Sequence, residues 1–588
     1  MGVTDPVTPT VGVRVPAGSG RVARVNGPLV EVEGLARVAV ADVIEVGDAG
    51  LAAEVVSVKG GLVTAQVYEY TGGLRVGDRA RGLGRPLSAR LGPGLLGGVF
   101  DGLLRPLAGR APWLAPGALG HDDAPGRWHF LPAATPGSPV GAGTVLGTVK
   151  TPSGVDHRVL APLGSGGKLE WVAAEGDVDE QEAVAVIDGQ RVAVSELWPV
   201  RTPRPSRARL GLSVPLVTGQ RVIDVLFPIV KGASAAVPGG FGTGKTVLLQ
   251  QIVKWCEADV VVFVGCGERG NELADSLAEL AALEDPRTGG TLLARTVVIA
   301  NTSNMPVMAR EASIYTGMTV AEFYRDMGYD AVLVADSTSR WAEALREFSS
   351  RSGALPAEEG YPAGLASALA AFYERAGRVT TLGGTHGSVT AIGAVSPPGG
   401  DMTEPVTAYT ERFVRTLWSL DRDLAYARHQ PAVTWRRSFS RDAPAAAAWH
   451  ALEGRTGWAR DRDRVVAMLA EADRLGPIVE LVGLGALQPR ERMALLAARL
   501  LREGFLQQSA LSVNDATCTP AKQAALLDLV LEVYDRCLAM VDRGVSAAVV
   551  EEIDLSGVSR VRDEVGPDDA AGVARRRDEV LAAMEASV

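Results

Sequence analysis

Lysine is scarce in this 588-residue chain: seven residues out of a Lys+Arg total of 59. Histidine (6), cysteine (4) and aromatic residues (5%) are also sparse. Four cysteines cannot build a disulfide framework. Cys256, Cys266, Cys518 and Cys537 also lack metal-ligand spacing, so they are read as core packing. No stretch reaches the roughly 18 uncharged apolar residues that a membrane-spanning helix needs. Met1 to Thr10 shows no basic segment followed by an apolar one, so no signal peptide is read there. Acidic residues outnumber basic ones, 69 against 59, for a net charge of −10. That balance argues against a chain whose main task is binding nucleic acid. A soluble, cytoplasmic protein is expected. Apolar residues make up 47%, which excludes a mainly disordered chain, and the length suggests about three to four domains.

The pattern along the chain changes in blocks. Residues 1 to about 20 are rich in Pro, Gly and Thr and read as a mobile tail. From Val22 to about Leu91 short β-branched runs alternate apolar with polar and end in turn residues, which predicts a small β-barrel or sandwich. Residues 92 to 117 are rich in Gly, Pro and Leu, with one short helix possible. A second strand-rich block runs from about Trp128 to Val194, between loop-like segments at 117–126 and 199–205. It reads as an insertion with its own β fold. From about Leu210 to Ser396 short, continuously apolar strands alternate with helical stretches: Ser234–Val237, Val260–Val264, Thr296–Ala300, Ala331–Ala335 and Val389–Val395. Such alternation predicts a parallel sheet covered on both faces. After about Pro431 the composition and periodicity are helical, as in Arg490–Arg502.

The strongest chemical signal is Gly239-Gly240-Phe241-Gly242-Thr243-Gly244-Lys245-Thr246. It fits the phosphate-loop pattern and lies between a strand candidate and a helix candidate at Val247–Glu257. Its glycines let backbone N–H groups turn inward around phosphate oxygens, and the helix N-terminus adds its dipole. Lys245 would reach the β- and γ-phosphates, and the Thr246 hydroxyl would ligate Mg²⁺. Such a loop needs a metal-binding carboxylate, and Asp336, at the end of an apolar strand, is the candidate. Glu268, in Gly265-Cys-Gly-Glu-Arg-Gly-Asn-Glu, follows another strand whose end faces the ligand crevice of such a sheet. It is either the base that orients an attacking water or one charge of a solvated loop. Arg269 beside it would support phosphate charge or hold the glutamate. His121, His129, His157, His386 and His450 show no ligand spacing and read as structural or exposed, and Trp341 and Trp418 read as core.

Seven segments together resemble the catalytic A subunit of V-type and archaeal-type rotary ATPases. They are Pro238-Gly-Gly-Phe-Gly-Thr-Gly-Lys-Thr, Gly267-Glu-Arg-Gly-Asn-Glu, Asn301-Thr-Ser-Asn-Met-Pro, Ala335-Asp-Ser-Thr-Ser-Arg-Trp-Ala-Glu-Ala, Ser396-Pro-Pro-Gly-Gly-Asp, Leu216-Val-Thr-Gly-Gln-Arg-Val-Ile-Asp and Phe505-Leu-Gln-Gln-Ser-Ala. The resemblance runs from about residue 20 to about 560. It implies a multidomain fold: an N-terminal β-barrel over 20–91, an inserted β-rich bulge over 118–198, a P-loop α/β domain from 92–117 and 199–430, and a helical domain over 431–588. It implies ATP or ADP with Mg²⁺ as ligands, Glu268 as the catalytic carboxylate with Lys245 and Arg269, and Thr246 and Asp336 on the metal. It places Arg340 near the γ-phosphate.

Two positions depart from the family. Thr243 stands where many relatives carry cysteine. Gln430, in His429-Gln-Pro-Ala-Val, stands where an aromatic is expected against adenine; Phe439 reads either as a nearby ring that replaces it or as core packing. The resemblance further implies a ring of three A and three B subunits in alternation, central and peripheral stalk subunits, and a membrane sector that moves H⁺ or Na⁺, with this chain peripheral on the cytoplasmic face. Two rival readings are a non-catalytic ring subunit, and another hexameric P-loop ATPase of secretion or RNA-translocating type. The intact Lys245, Thr246, Glu268 and Asp336 argue against the first, and the acidic charge and the inserted block against the second.

Overall fold

The computed structural model describes residues 18–107, 126–285, 287–351, 353 and 355–586. Nearly all of the tail reading, most of the loop at 117–126, and His121 lie outside the described residues. Chain contacts divide the protein into two compact units, 1–210 with 259–389 and 211–258 with 390–588.

The first unit opens with a closed six-stranded barrel rather than a sandwich: β1 (Ser19–Asn26), β2 (Leu29–Glu33), β3 (Asp42–Val46), β4 (Leu51–Lys59), β5 (Leu62–Val67) and β6 (Arg79–Pro86), in the order β1-β2-β5-β4-β3-β6. Alternation in each strand sends Val22, Val30, Val32, Ile44, Val46, Val55, Val63 and Val67 inward. The hairpin between β4 and β5 turns on Gly60 (φ 58°) and Gly61 (φ 84°), the left-handed pair that a two-residue turn requires. Closure comes from β1 pairing with β6, Ser19–Arg21 against Arg79–Arg81, which leaves the barrel no open edge.

The inserted block folds as two four-stranded sheets. One orders Pro139–Gly141, Gly166–Val172, Ala183–Ile187 and Gln190–Ala193; the other orders His157–Leu160, Val145–Val149, Arg127–Pro132 and Gly176–Asp179. Phe130, Leu146, Val149, Leu169, Val184 and Ile187 fill the space between them. The strand that leaves the block, Glu196–Pro199, pairs with Ser88–Leu91, which precedes it. The chain thus returns to where it departed, as an insertion must.

The rest of the first unit is a set of parallel strands in the order Val99–Phe100, Thr296–Asn301, Val260–Cys266 and Asp330–Asp336. The last three are buried along almost their whole length, as their continuous apolar runs require. Helix Val307–Asp326 packs on them and carries buried acids that arginines hold by planar forks. Arg201 grips Glu311 at 2.8 and 2.6 Å, Arg204 bonds Asp326 at 2.6 Å, and Arg375 bonds Glu322 at 2.6 Å. The Trp341 indole, fully buried, donates to the Glu311 carbonyl at 3.1 Å.

In the second unit strand Ser234–Pro238 lies parallel to both Ala391–Val395 and Thr416–Leu417, and Phe439–Ser440 adds an antiparallel edge. Helices follow from Ala443 to Ala586, the longest Trp458–Val482 and Pro520–Asp542. Arg221, fully buried, meets Asp515 at 2.6 Å, and its Nε donates to the Phe505 carbonyl at 2.6 Å. The described residues thus carry the expected barrel, parallel strands, β-rich insert and helical C-terminal part. All four cysteines are buried and none forms a disulfide, and Trp418 is buried too.

His157, buried in the inserted block, faces the Val194 carbonyl through Nε2 at 3.0 Å and packs beside Phe323. Burial holds its pKa down from 6.5 to about 4. Between those pH values the unfolded chain takes up a proton that the folded chain refuses, so stability is lost as pH falls, by up to about 3 kcal/mol from this residue. Urea melts between pH 7 and 4 should show a shallower loss for His157→Gln, which keeps a donor for Val194. An unchanged slope contradicts the assignment.

Candidate functional site

The phosphate loop occupies residues 239–244 of the second unit, between strand Ser234–Pro238 and helix Lys245–Trp255. The helix begins at Lys245, two residues earlier than expected. Gly242 (φ 77°) and Gly244 (φ 87°) take left-handed conformations that let the loop curl back on itself. A Cβ on Gly239 would lie 2.7 Å from the Thr243 hydroxyl and 2.9 Å from Leu420, so only glycine fits there. Thr243 is buried and donates to the Gly240 carbonyl at 2.9 Å. The Lys245 ammonium donates to the carbonyls of Gly239 at 2.6 Å and Gly240 at 3.0 Å, and so is held against the loop. Thr246 sits in the first turn of the helix, and Phe241 is 90% exposed at the loop tip.

Gln430 lies against the same loop. A Cβ on Gly244 would come within 3.2 Å of its Oε1, and its carbonyl accepts from the Gln508 N–H at 2.7 Å. Phe439 is placed in the edge strand opposite Leu417, with the Arg441 guanidinium 5.6 Å from its ring centre.

The first unit carries the acidic residues. Parallel register sets Gly265 beside Asp336 and Cys266 beside Asn301, so three strands end together. Gly267 (φ 78°) then turns the chain, Glu268 follows, and Arg269 precedes helix Gly270–Ala282. The Asn301-Thr-Ser segment clamps this turn: the Asn301 carbonyl accepts from the Gly267 N–H at 2.7 Å, and the Ser303 N–H donates to the Glu268 carbonyl at 2.9 Å. Asp336 is buried at its strand end. Arg269 is exposed, 3.8 Å from Glu272, and Arg340 is held by both oxygens of Glu343 at 3.0 and 2.9 Å.

Burial pushes the Glu268 carboxyl up to about 8; the negative charges of Asp336 and Glu272 add to the rise and Arg340 partly offsets it. A carboxyl near neutral is suited to taking a proton in a reaction. Asn301 was legible only as part of a motif, yet both atoms of its side-chain amide are buried without a hydrogen-bond partner beside this turn. Such an orphaned group is costly to leave unmade, and a periodic sequence pattern gives no sign of it.

Among the described residues no three His, Cys, Asp or Glu side chains group as a metal site. Thr246 in the second unit and Asp336 in the first are each a hard oxygen donor, the kind that Mg²⁺ takes beside a nucleotide.

Four family models match in chain order. They are the beta-barrel domain of the ATP synthase alpha/beta family at 22–84, the ATP synthase alpha/beta subunit barrel-sandwich domain at 122–201, the nucleotide-binding domain of the alpha/beta family at 219–440, and the C-terminal domain of V and A type ATP synthase at 447–550. A V-type ATP synthase alpha chain of Anaeromyxobacter dehalogenans (strain 2CP-C) is 50% identical over 577 residues, covering 97% of this chain and 100% of the relative. The chain belongs to the family of V-type ATP synthase alpha chains and A-type ATP synthase A subunits. A second relative, the A subunit of the A-type ATP synthase from Metallosphaera sedula, is 49% identical over 549 residues, 91% of this chain and 93% of the relative. Among solved structures, the assembled ATPase EscN of the enteropathogenic E. coli type III secretion system superposes with a TM-score of 0.62 at 21% identity, over 88% of this chain and 100% of that one. At that identity the likeness is one of fold. The inserted block of this A-subunit family member corresponds to the barrel-sandwich match.

Gly267 admits a direct test of the acidic half. Its φ is left-handed, and an added Cβ would sit 2.7 Å from the Arg340 Cβ. Gly267→Ala should lower stability by about 1–2 kcal/mol and reduce turnover by displacing Arg340. Thermal unfolding together with ATPase assays checks both effects; unchanged values in both would contradict the geometry.

Proposed function

We propose that the chain is the catalytic, ATP-binding subunit of a membrane-bound rotary ATPase or ATP synthase. The observation that carries this reading is the pairing of a complete phosphate loop with a Gly267-Glu268 turn in a chain 50% identical to a V-type ATP synthase alpha chain. Backbone N–H groups of residues 239–244 and the Lys245 ammonium bind the β- and γ-phosphates. Thr246 and Asp336 are the residues that would hold Mg²⁺, which would neutralise charge on the phosphates. Glu268 orients the attacking water and accepts its proton. Its pKa is raised to about 8 in the free chain, so it acts as a base only in its ionised form. Arg340 stabilises charge at the γ-phosphate, and Arg269 holds the glutamate turn through Glu272. Adenine lies beside Gln430, with Phe439 a candidate ring to stack on it.

In this reading three such chains alternate with three B subunits. Each site is completed by the neighbouring protomer, and stalk subunits couple the ring to a membrane sector that moves H⁺ or Na⁺. No helix among the described residues is long and apolar enough to cross a membrane; in this reading the chain is peripheral on the cytoplasmic face.

Two substitutions separate chemistry from binding. Glu268→Gln in the assembled complex should cost about 10²–10⁴-fold in turnover and leave Mg-ATP affinity largely intact. Lys245→Ala should weaken both. Turnover and calorimetry check the pair: retained hydrolysis in the first refutes the base, and normal affinity in the second refutes the phosphate loop.

A further inference from the structure

Arg340 has two anionic claimants. Its stem is fixed against the Gly267 turn, since a Cβ there would meet its Cβ at 2.7 Å and its Cγ at 3.0 Å. From that anchor the guanidinium lies within electrostatic reach of Glu268. It is nevertheless spent on Glu343, one turn along helix Thr338–Arg351, through two bonds of 3.0 and 2.9 Å. The helix itself is held in place, because Trp341 between them is fully buried and bonded to the Glu311 carbonyl. Arg340 and Glu343 both keep partial exposure, with 51% and 34% of their side chains accessible, so the pair can open without unpacking the core.

We propose that Glu343 is a positioning residue that parks Arg340 in the nucleotide-free and ADP-bound site, and that the γ-phosphate must win the guanidinium from it. This rests on the reading of Arg340 as a γ-phosphate contact. Glu343 then sets how strongly the site prefers ATP over ADP, because only ATP carries the group that competes for the parked arm. An arm that is parked most of the time lowers apparent affinity by the fraction of time it is free. A partly exposed Arg–Glu pair of ordinary strength corresponds to a penalty of about two- to fivefold. On a helix with no ligand nearby the same pair would affect stability alone.

The test is calorimetry on the assembled complex with ADP and with a non-hydrolysable ATP analogue, for wild type, Glu343→Gln, Arg340→Ala and the double variant, with thermal unfolding to confirm that each folds. The proposal expects Glu343→Gln to bind the ATP analogue about two- to fivefold tighter with ADP unchanged, and expects that gain to vanish when Arg340 is already alanine. Equal tightening for both nucleotides, no tightening, or a gain that survives without Arg340 overturns it. If Arg340→Ala alone leaves the ATP-to-ADP preference untouched, the assignment of Arg340 to the γ-phosphate fails, and the parking role with it. If that preference falls while Glu343→Gln changes nothing, the assignment stands and only the parking role is lost.

Discussion

Burial of Glu268 at the ends of the parallel strands, with the negative charges of Asp336 and Glu272 beside it, sets terms the rest of the site must meet. Left alone, such a group answers by keeping a proton, and Glu268 does so. Of the nearby arginines, Arg269 is drawn to Glu272 and Arg340 to Glu343, while Arg310 bonds the Ser303 carbonyl at 3.0 Å. Carboxylates gathered in this way are poised for an incoming cation. A magnesium–nucleotide complex supplies cation and substrate together, which is why the proposed reaction suits this arrangement better than chemistry on an uncharged ligand.

The near-exclusion of lysine makes the division of labour between the two basic side chains visible. Planar arginine forks hold the buried acids of helix Val307–Asp326, where a bidentate grip fixes geometry. Two of the seven lysines place a compact ammonium among several oxygens that come from different directions. Lys245 donates to two loop carbonyls, and buried Lys522 donates to three, those of Asn514, Arg562 and Val565. The first can exchange carbonyls for phosphate oxygens; the second ties helices of the C-terminal part together. The phosphate loop and the carboxylates belong to different compact units of the chain, and each half is shaped by its own glycine turns.

Much of this was legible in the sequence, for physical reasons that also mark where legibility ended. The five apolar runs became strands because a buried parallel strand must be apolar on both faces, and the phosphate loop declared itself through glycines with no substitute. Closure of the barrel was not legible. It depends on Ser19–Arg21 pairing with Arg79–Arg81, a contact between distant segments with no local signature. The strand at Phe439–Ser440 is too short to leave a periodic trace, so that stretch read as the start of the helical region. Glu343 looked like any acid three residues from an arginine on a helix; only the close approach of Arg340 to Gly267 gives the pair its place beside Glu268. Asn301 was hidden for a related reason, since an unpartnered amide is a property of its surroundings.

We propose for this chain a phosphate loop and a water-orienting carboxylate, with the transition-state arginine supplied by a neighbouring protomer of the ring. The most direct test is steady-state ATP hydrolysis by the purified chain alone and again after its B-type partner is added. The account predicts a slow reaction alone and a rise of about 10³-fold or more on assembly. Full activity without the partner would contradict the shared site and point to a self-sufficient homo-oligomer.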